Sequence, residues 1–288
     1  MDGAAMNRRT VLTALVGTGL SGFAPASAFA RPPSLALAGK LRQCGYAIGA
    51  TQPRSTVFVD GLSVGHASAS GYFVVGFDRD AAPFAELMVE TDDGRATQIL
   101  TIAAGTYDIQ RIEGLPQDQV TPSDPALLER IHTEAARKAV GFASDTDADT
   151  FRTGFDWPVQ YTHVSALFGG QRILNGIAER PHYGIDLAAP VGTPIVAPGA
   201  GKVCFAETGL HYEGGLVMID HGQGLVSMYL HMSRIDVSAG QTIGRGERLG
   251  AVGMEGRATG PHCCWRMKWK GRNLDPSLMV GATAPSRA

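Results

Sequence analysis

The sequence predicts an all-β protein: a small N-terminal antiparallel β-sandwich, a connecting helix and a C-terminal β-sheet domain. Three observations predict it. Glycine is frequent, at 37 of 288 residues, where about 7% is usual. The apolar runs are short and alternate with polar residues at the strand period. Asp-Gly pairs, which supply the positive φ of tight hairpin turns, punctuate those runs. A chain of 288 residues has room for one large domain or two modest ones, each able to bury a core. The formal net charge of −2 provides no electrostatic footprint for nucleic acid and no basic patch for anionic lipid.

Residues 1–30 read as an export signal. Arg8-Arg9 precede a weakly apolar segment from Val11 to Phe23, and Ala28-Phe29-Ala30 supplies a small-x-small cleavage site. The apolar run falls short of the ~20 residues that span a bilayer, so no transmembrane segment is expected in the mature chain. The paired arginines followed by Thr10-Val11-Leu12 look like a twin-arginine signal, whose pathway carries folded proteins. An ordinary secretory signal is the other reading. Either way the expected location is periplasmic or secreted after cleavage near Ala30.

Residues 31–115 form the expected β-sandwich. Thr56-Val57-Phe58-Val59 meets a turn at Asp60-Gly61, and Glu86-Leu87-Met88-Val89-Glu90 meets another at Asp92-Asp93-Gly94, with Arg95 to Ile102 returning. Its single His66 belongs to no ligand cluster, so a packing or targeting module is expected. Residues 116–150 form a linker with a helix. Ser123 or Asp124 caps it, Pro125 begins it, Leu128, Ile131, Ala135 and Ala139 recur at helical spacing, and Gly141 closes it. Residues 151–288 return to β patterns, with Gly215 to Asp220 and Leu225 to Met232 forming a hairpin around His221-Gly222-Gln223-Gly224.

The residues that carry chemistry lie in this last region. His182 and Asp186 flank Gly184, and Pro181, Pro190 and Pro194 bracket them. Those prolines and the glycine argue against a helix. The pair is expected on an irregular strand or loop, with Gly184 letting the backbone turn. In the strand from Leu225 to Met232, alternation places Ser227, Tyr229 and His231 on one face and Val226, Met228 and Leu230 on the other. The second set is apolar and suits a core, which leaves His231 on the polar face. In Gly260-Pro261-His262-Cys263-Cys264, His262 and Cys264 share one strand face and Cys263 takes the other as a small buried side chain. Common alternatives are missing: no His-Glu-x-x-His helix, no Gly-x-Ser-x-Gly elbow and no phosphate-binding glycine loop occurs. Cys44, Cys204 and the adjacent Cys263-Cys264 form no disulfide framework. A Cys44–Cys204 bridge is left open, with no motif to support it.

Pro181-His182-Tyr183-Gly184-Ile185-Asp186 with Ala189-Pro190-Val191-Gly192-Thr193-Pro194-Ile195-Val196-Ala197 following, Tyr229-Leu230-His231, and Gly260 to Cys264 together resemble the lysostaphin/LytM family of zinc peptidases. That family cuts peptide crosslinks in bacterial cell walls and shows His-x-x-x-Asp, a lone His, then His-x-His. Here Cys264 stands at the last His. The resemblance covers roughly residues 155 to 278, including Ile173-Leu174-Asn175-Gly176 and Asp275-Pro276. It implies a LytM-type β-sheet domain with a groove and one Zn²⁺ at its floor, held by His182, Asp186 and Cys264. His231 and His262 would be the catalytic histidines and peptidoglycan peptides the substrate. A thiolate is a competent zinc ligand. The alternative implied by Cys264 is a degenerate, metal-free binding protein that regulates other cell-wall hydrolases.

Overall fold

The computed structural model describes residues 33–113 and 124–286, so the segment expected as an export signal and most of the expected linker lie outside the described residues. Among the described residues seven strands come first: Ala36–Lys40 (β1), Tyr46–Ala50 (β2), Thr56–Val59 (β3), Leu62–His66 (β4), Tyr72–Gly76 (β5), Phe84–Thr91 (β6) and Gly94–Thr101 (β7). They form two antiparallel sheets, β1-β2-β5 and β4-β3-β6-β7. Alternation decides the buried faces: Val57 and Val59 in β3, and Ala85, Leu87 and Val89 in β6, point inward. The expected turn after β3 uses Asp60 at φ 51° and Gly61 at φ 76°, the left-handed pair that a two-residue hairpin of the right twist requires.

Ile109–Ile112 (β8) pairs in parallel with a strand from the second half of the chain. The helix Pro125–Phe142 (α1) follows, and the Asp124 side chain caps it by accepting from the N–H of Ala126. Gly141 does not close this helix. It lies in the last turn, where a Cβ would stand 2.8 Å from Met218 Sδ and 3.0 Å from Phe205 Cβ. Glycine is there because the helix approaches the sheet closely, and Ala143 forms the C-cap.

The remaining strands are His163–Ala166 (β9), Gln171–Leu174 (β10), Ile177–Ala178 (β11), Ile185–Ala188 (β12), Pro194–Val196 (β13), Gly201–Leu210 (β14), Gly214–Asp220 (β15), Leu225–Ile235 (β16), Thr242–Ile243 (β17), Arg248–Val252 (β18), His262–Trp269 (β19) and Arg272–Leu274 (β20). Most join one large sheet in the order β17-β14-β15-β16-β19-β12-β9, with β18 beside β16 and β13, and β20 beside β19. β8, β10 and β11 make a small third sheet. The hairpin around His221-Gly222-Gln223-Gly224 forms as expected, with Asp220 opposite Val226.

One face of the large sheet carries Val217, Ile219, Tyr229, Trp265, Met267 and Trp269 into the main core, which continues into the N-terminal sheets through Phe73, Val75 and Leu87. Polar contacts cross the same boundary: Gln223 Nε2 donates to Tyr72 O (2.9 Å), and Arg272 Nη1 donates to Gly76 O (3.0 Å). The opposite face carries a smaller cluster of Leu216, Met218, Val226, Met228, Leu230 and Cys264, against which Phe142 of α1 packs. The candidate site opens on that second face. Among the described residues no helix is long and apolar enough to cross a membrane.

Candidate metal centre

Asp186 lies opposite Cys264 in the β12–β19 ladder, and paired residues of neighbouring strands present their side chains on the same face. His182 arrives from the loop before β12, where its N–H donates to Gly170 O and its own carbonyl accepts from Gly169, both at 2.7 Å. Its Nε2 stands 3.2 Å from Asp186 Oδ1 and 3.4 Å from Cys264 Sγ. One donor atom from each of the three lies within 4.8 Å of the others. The residues expected as ligands are therefore gathered at one point. Gly184 contributes by omission rather than by backbone freedom. It is absent from the positive-φ residues, and a Cβ on it would stand 2.8 Å from both Cys264 Sγ and Arg266 Cγ.

The two expected catalytic histidines stand beside this cluster, one by a route that strand alternation does not predict. Strict alternation sends His231 to the face of Ser227 and Tyr229, and that face is core: Ser227 Oγ bonds Tyr229 Oη and His221 Nε2, each at 2.7 Å. The register of β16 shifts here, with Tyr229 opposite Val217 but Met232 opposite Gly215. One extra residue is thus accommodated on β16, which is a β-bulge, and His231 adopts φ 64°. The bulge turns its ring to the other face, where it meets the ring of His262 at a centroid separation of 4.7 Å. Past Leu230 the strand leaves β19 and pairs with β18.

Backbone carbonyls set both tautomers. His231 Nδ1 bonds Glu255 O at 2.7 Å and His262 Nδ1 bonds Gly260 O at 2.8 Å. A carbonyl only accepts, so Nδ1 carries the proton in each ring and Nε2 keeps its lone pair. His262 Nε2 lies 3.6 Å from Asp186 Oδ2. Burial pushes the pKa of His231 down to about 4, which keeps the ring neutral near pH 7.

Cys263 and Cys264 divide between the two faces of β19 as expected. Cys263 is fully buried in the main core, where burial drives its thiol pKa upward. Cys264 faces the site. All four cysteines are free. Arg266, which the sequence reading passed over, donates from Nε to Cys264 Sγ at 3.3 Å. The signal for it was available, because a residue two places along a strand shares the face.

The cluster fits a divalent metal on the chemistry of its donors. An imidazole nitrogen, a carboxylate oxygen and a sulfur converge, with His182 Nε2 set between Asp186 Oδ1 and Cys264 Sγ. Lone pairs this close need a cation between them. Burial opposes a charge on His182, but its hydrogen bonds to Asp186 and Cys264 outweigh burial and raise its pKa to about 10. The same mixed nitrogen, oxygen and sulfur set suits Zn²⁺, which accepts all three with a fourth position left for water.

Comparison with known proteins agrees. The model of Peptidase family M23 matches residues 180–276, which contain all five site residues. The chain is 37% identical over 136 residues to the peptidoglycan DD-endopeptidase ShyA of Vibrio cholerae, covering 46% of this chain and 31% of that protein. It is 38% identical over 119 residues to the DD-carboxypeptidase/endopeptidase Mpg of Neisseria meningitidis, covering 41% and 27%. The chain thus spans under a third of the length of these curated relatives. Among solved structures, a putative peptidase M23 from Pseudomonas aeruginosa superposes with a TM-score of 0.64 at 31% identity, covering 84% of this chain and 96% of that one. With that likeness running almost end to end, the chain belongs to peptidase family M23.

Proposed function

We propose that this protein is an exported zinc endopeptidase that hydrolyses peptide crosslinks of peptidoglycan. One observation carries the reading: three metal-ligand side chains converge beside two histidines whose Nε2 lone pairs are free. His182, Asp186 and Cys264 would hold the zinc. When bound, zinc would polarise the scissile carbonyl and lower the pKa of its water towards ~7.

The chain's own residues do the rest. His231 is kept neutral by burial, with its pKa at about 4, and would take the attacking water's proton at Nε2. Because the buried ring holds that proton weakly, it passes it readily to the leaving amine. His262 stands ring to ring with it, its Nε2 turned to the site 3.6 Å from Asp186 Oδ2. The carbonyls of Glu255 and Gly260 hold both rings in the reactive tautomer. Arg266 places a positive charge against Cys264 Sγ. It offsets the second anionic ligand, which would otherwise cancel the charge of the zinc and weaken its pull on the carbonyl.

The relatives ShyA and Mpg bear the names of cell-wall peptidases, and the export signal expected in residues 1–30 suits a periplasmic or secreted enzyme. Metal analysis of protein purified without added zinc tests the reading. About one zinc per chain is expected. No zinc would favour instead a metal-free binding protein acting on other cell-wall hydrolases.

A further inference from the structure

Beside the metal centre lies a recess of about 180 Å³ between α1 and the sheet. Its floor is apolar, built from Met218, Met228 and Leu230, while its rim carries Arg180, Arg266 and Lys268. We propose that these three cations form a carboxylate subsite that holds a free carboxylate of the substrate peptide next to the scissile bond. The inference rests on the peptidase reading and adds to it a preference for acidic peptides.

None of the three cations has a carboxylate within ion-pair distance among the described residues, although the nearby Lys138 pairs with Glu213 at 2.6 Å. Arg180 stacks over Tyr183 at 5.7 Å and Lys268 over Phe142 at 4.4 Å. Such cation–π contacts hold the cations in place without neutralising them. Arg266 spends Nε on Cys264 Sγ and leaves its terminal amino groups for a ligand. Lys268 registers the crowding: burial lowers its pKa first, and repulsion from Arg180 and Arg266 lowers it further.

Glu213 also lines the recess but is paired with Lys138, and Arg266 is set against Cys264 Sγ, so the surplus positive charge of this concave site is that of Arg180 and Lys268, and it attracts an anion. Forked guanidinium groups suit a planar carboxylate in particular. The size also fits: the recess is smaller than the ~300 Å³ of a pocket for a whole small ligand and suits one side group of a longer peptide lying in the groove. Peptide crosslinks supply such groups at their acidic residues and C-termini.

The test is equilibrium binding to the zinc-loaded full chain, using an uncrosslinked stem peptide with free carboxylates and its carboxamide counterpart. The acid form is expected to bind about tenfold or more tightly, the scale of a charge-assisted hydrogen bond. Arg180→Gln and Lys268→Gln should each remove most of that preference while leaving carboxamide binding and zinc content unchanged. Neither substitution touches a metal ligand or a site histidine. Equal binding of the two peptides, no binding of either, or a preference that survives the double variant would each overturn the subsite. Cleavage of a crosslinked peptide is scored separately on the natural chain. Cleavage without acid preference would remove the subsite and leave the peptidase. Acid preference without cleavage would support the subsite and count against the peptidase.

Discussion

Gly184→Ala adds one methyl group at the point where the metal centre has no room for it. The new Cβ would stand 2.8 Å from Cys264 Sγ and 2.8 Å from Arg266 Cγ, whereas unstrained contacts between such atoms sit near ~3.5–4.0 Å. Either the sulfur and the arginine retreat by roughly 1 Å, or β12 moves away from β19. Both responses exceed the ~0.2 Å that a zinc–ligand distance tolerates. Displacing a group that orients a ligand typically lowers metal affinity about 10–100-fold, or about 1.4–2.7 kcal/mol. Overpacking costs roughly 1–3 kcal/mol of stability, so the melting temperature should fall by about 2–12 °C. Zinc affinity is read by competition with a chromogenic chelator, alongside thermal melts. The control is Gly170→Ala, where the nearest atoms to an added Cβ are 3.8 Å away and no change in zinc affinity is expected. Unaltered zinc affinity in a folded Gly184→Ala protein would show that Cys264 Sγ is not a ligand, and the proposed centre would be wrong.

Three further outcomes are expected. Cys264→Ala abolishes stoichiometric zinc, while Cys263→Ala, on the core face of β19, keeps the metal and costs only stability; equal zinc loss in both would mean that the strand faces are misassigned. His231→Ala retains zinc and lowers kcat by about 10²–10⁴-fold, the usual share of a general acid–base, and an unchanged kcat would remove the residue from the mechanism. Burial holds the pKa of His221 down at about 4, against ~6.5 in the unfolded chain. The unfolded state therefore takes up the proton first as pH falls, so this contribution is complete above pH ~6.5 and is lost as pH falls towards 4, amounting to about 3 kcal/mol. Urea midpoints at pH 7 and pH 4.5 measure it, and His221→Gln should show the shallower dependence; identical slopes for the two proteins would reject the linkage.

Much of the site was legible in the sequence because its ligands sit on regular strands or at their ends. Period-two alternation alone separates Cys263 from Cys264, and the hairpins at Asp60-Gly61 and His221 to Gly224 are announced by their turn residues. What stayed hidden depends on long-range contacts. His231 reaches the site only through a bulge, because β16 must leave β19 for β18, and nothing in Tyr229-Leu230-His231 indicates which strands will flank it. Gly184 and Gly141 look like turn or cap residues in one dimension. Both prove to be places where another element approaches too closely for a side chain. The cations Arg180 and Lys268 come together only when the loop before β12 folds against β19.

Hydrolysis of crosslinked peptidoglycan by the zinc-loaded protein is the most direct measurement. The account predicts that crosslinked muropeptides disappear, that their uncrosslinked products accumulate, and that a chelator stops the reaction until zinc is restored. Protein carrying about one zinc per chain that leaves every crosslink intact would contradict it.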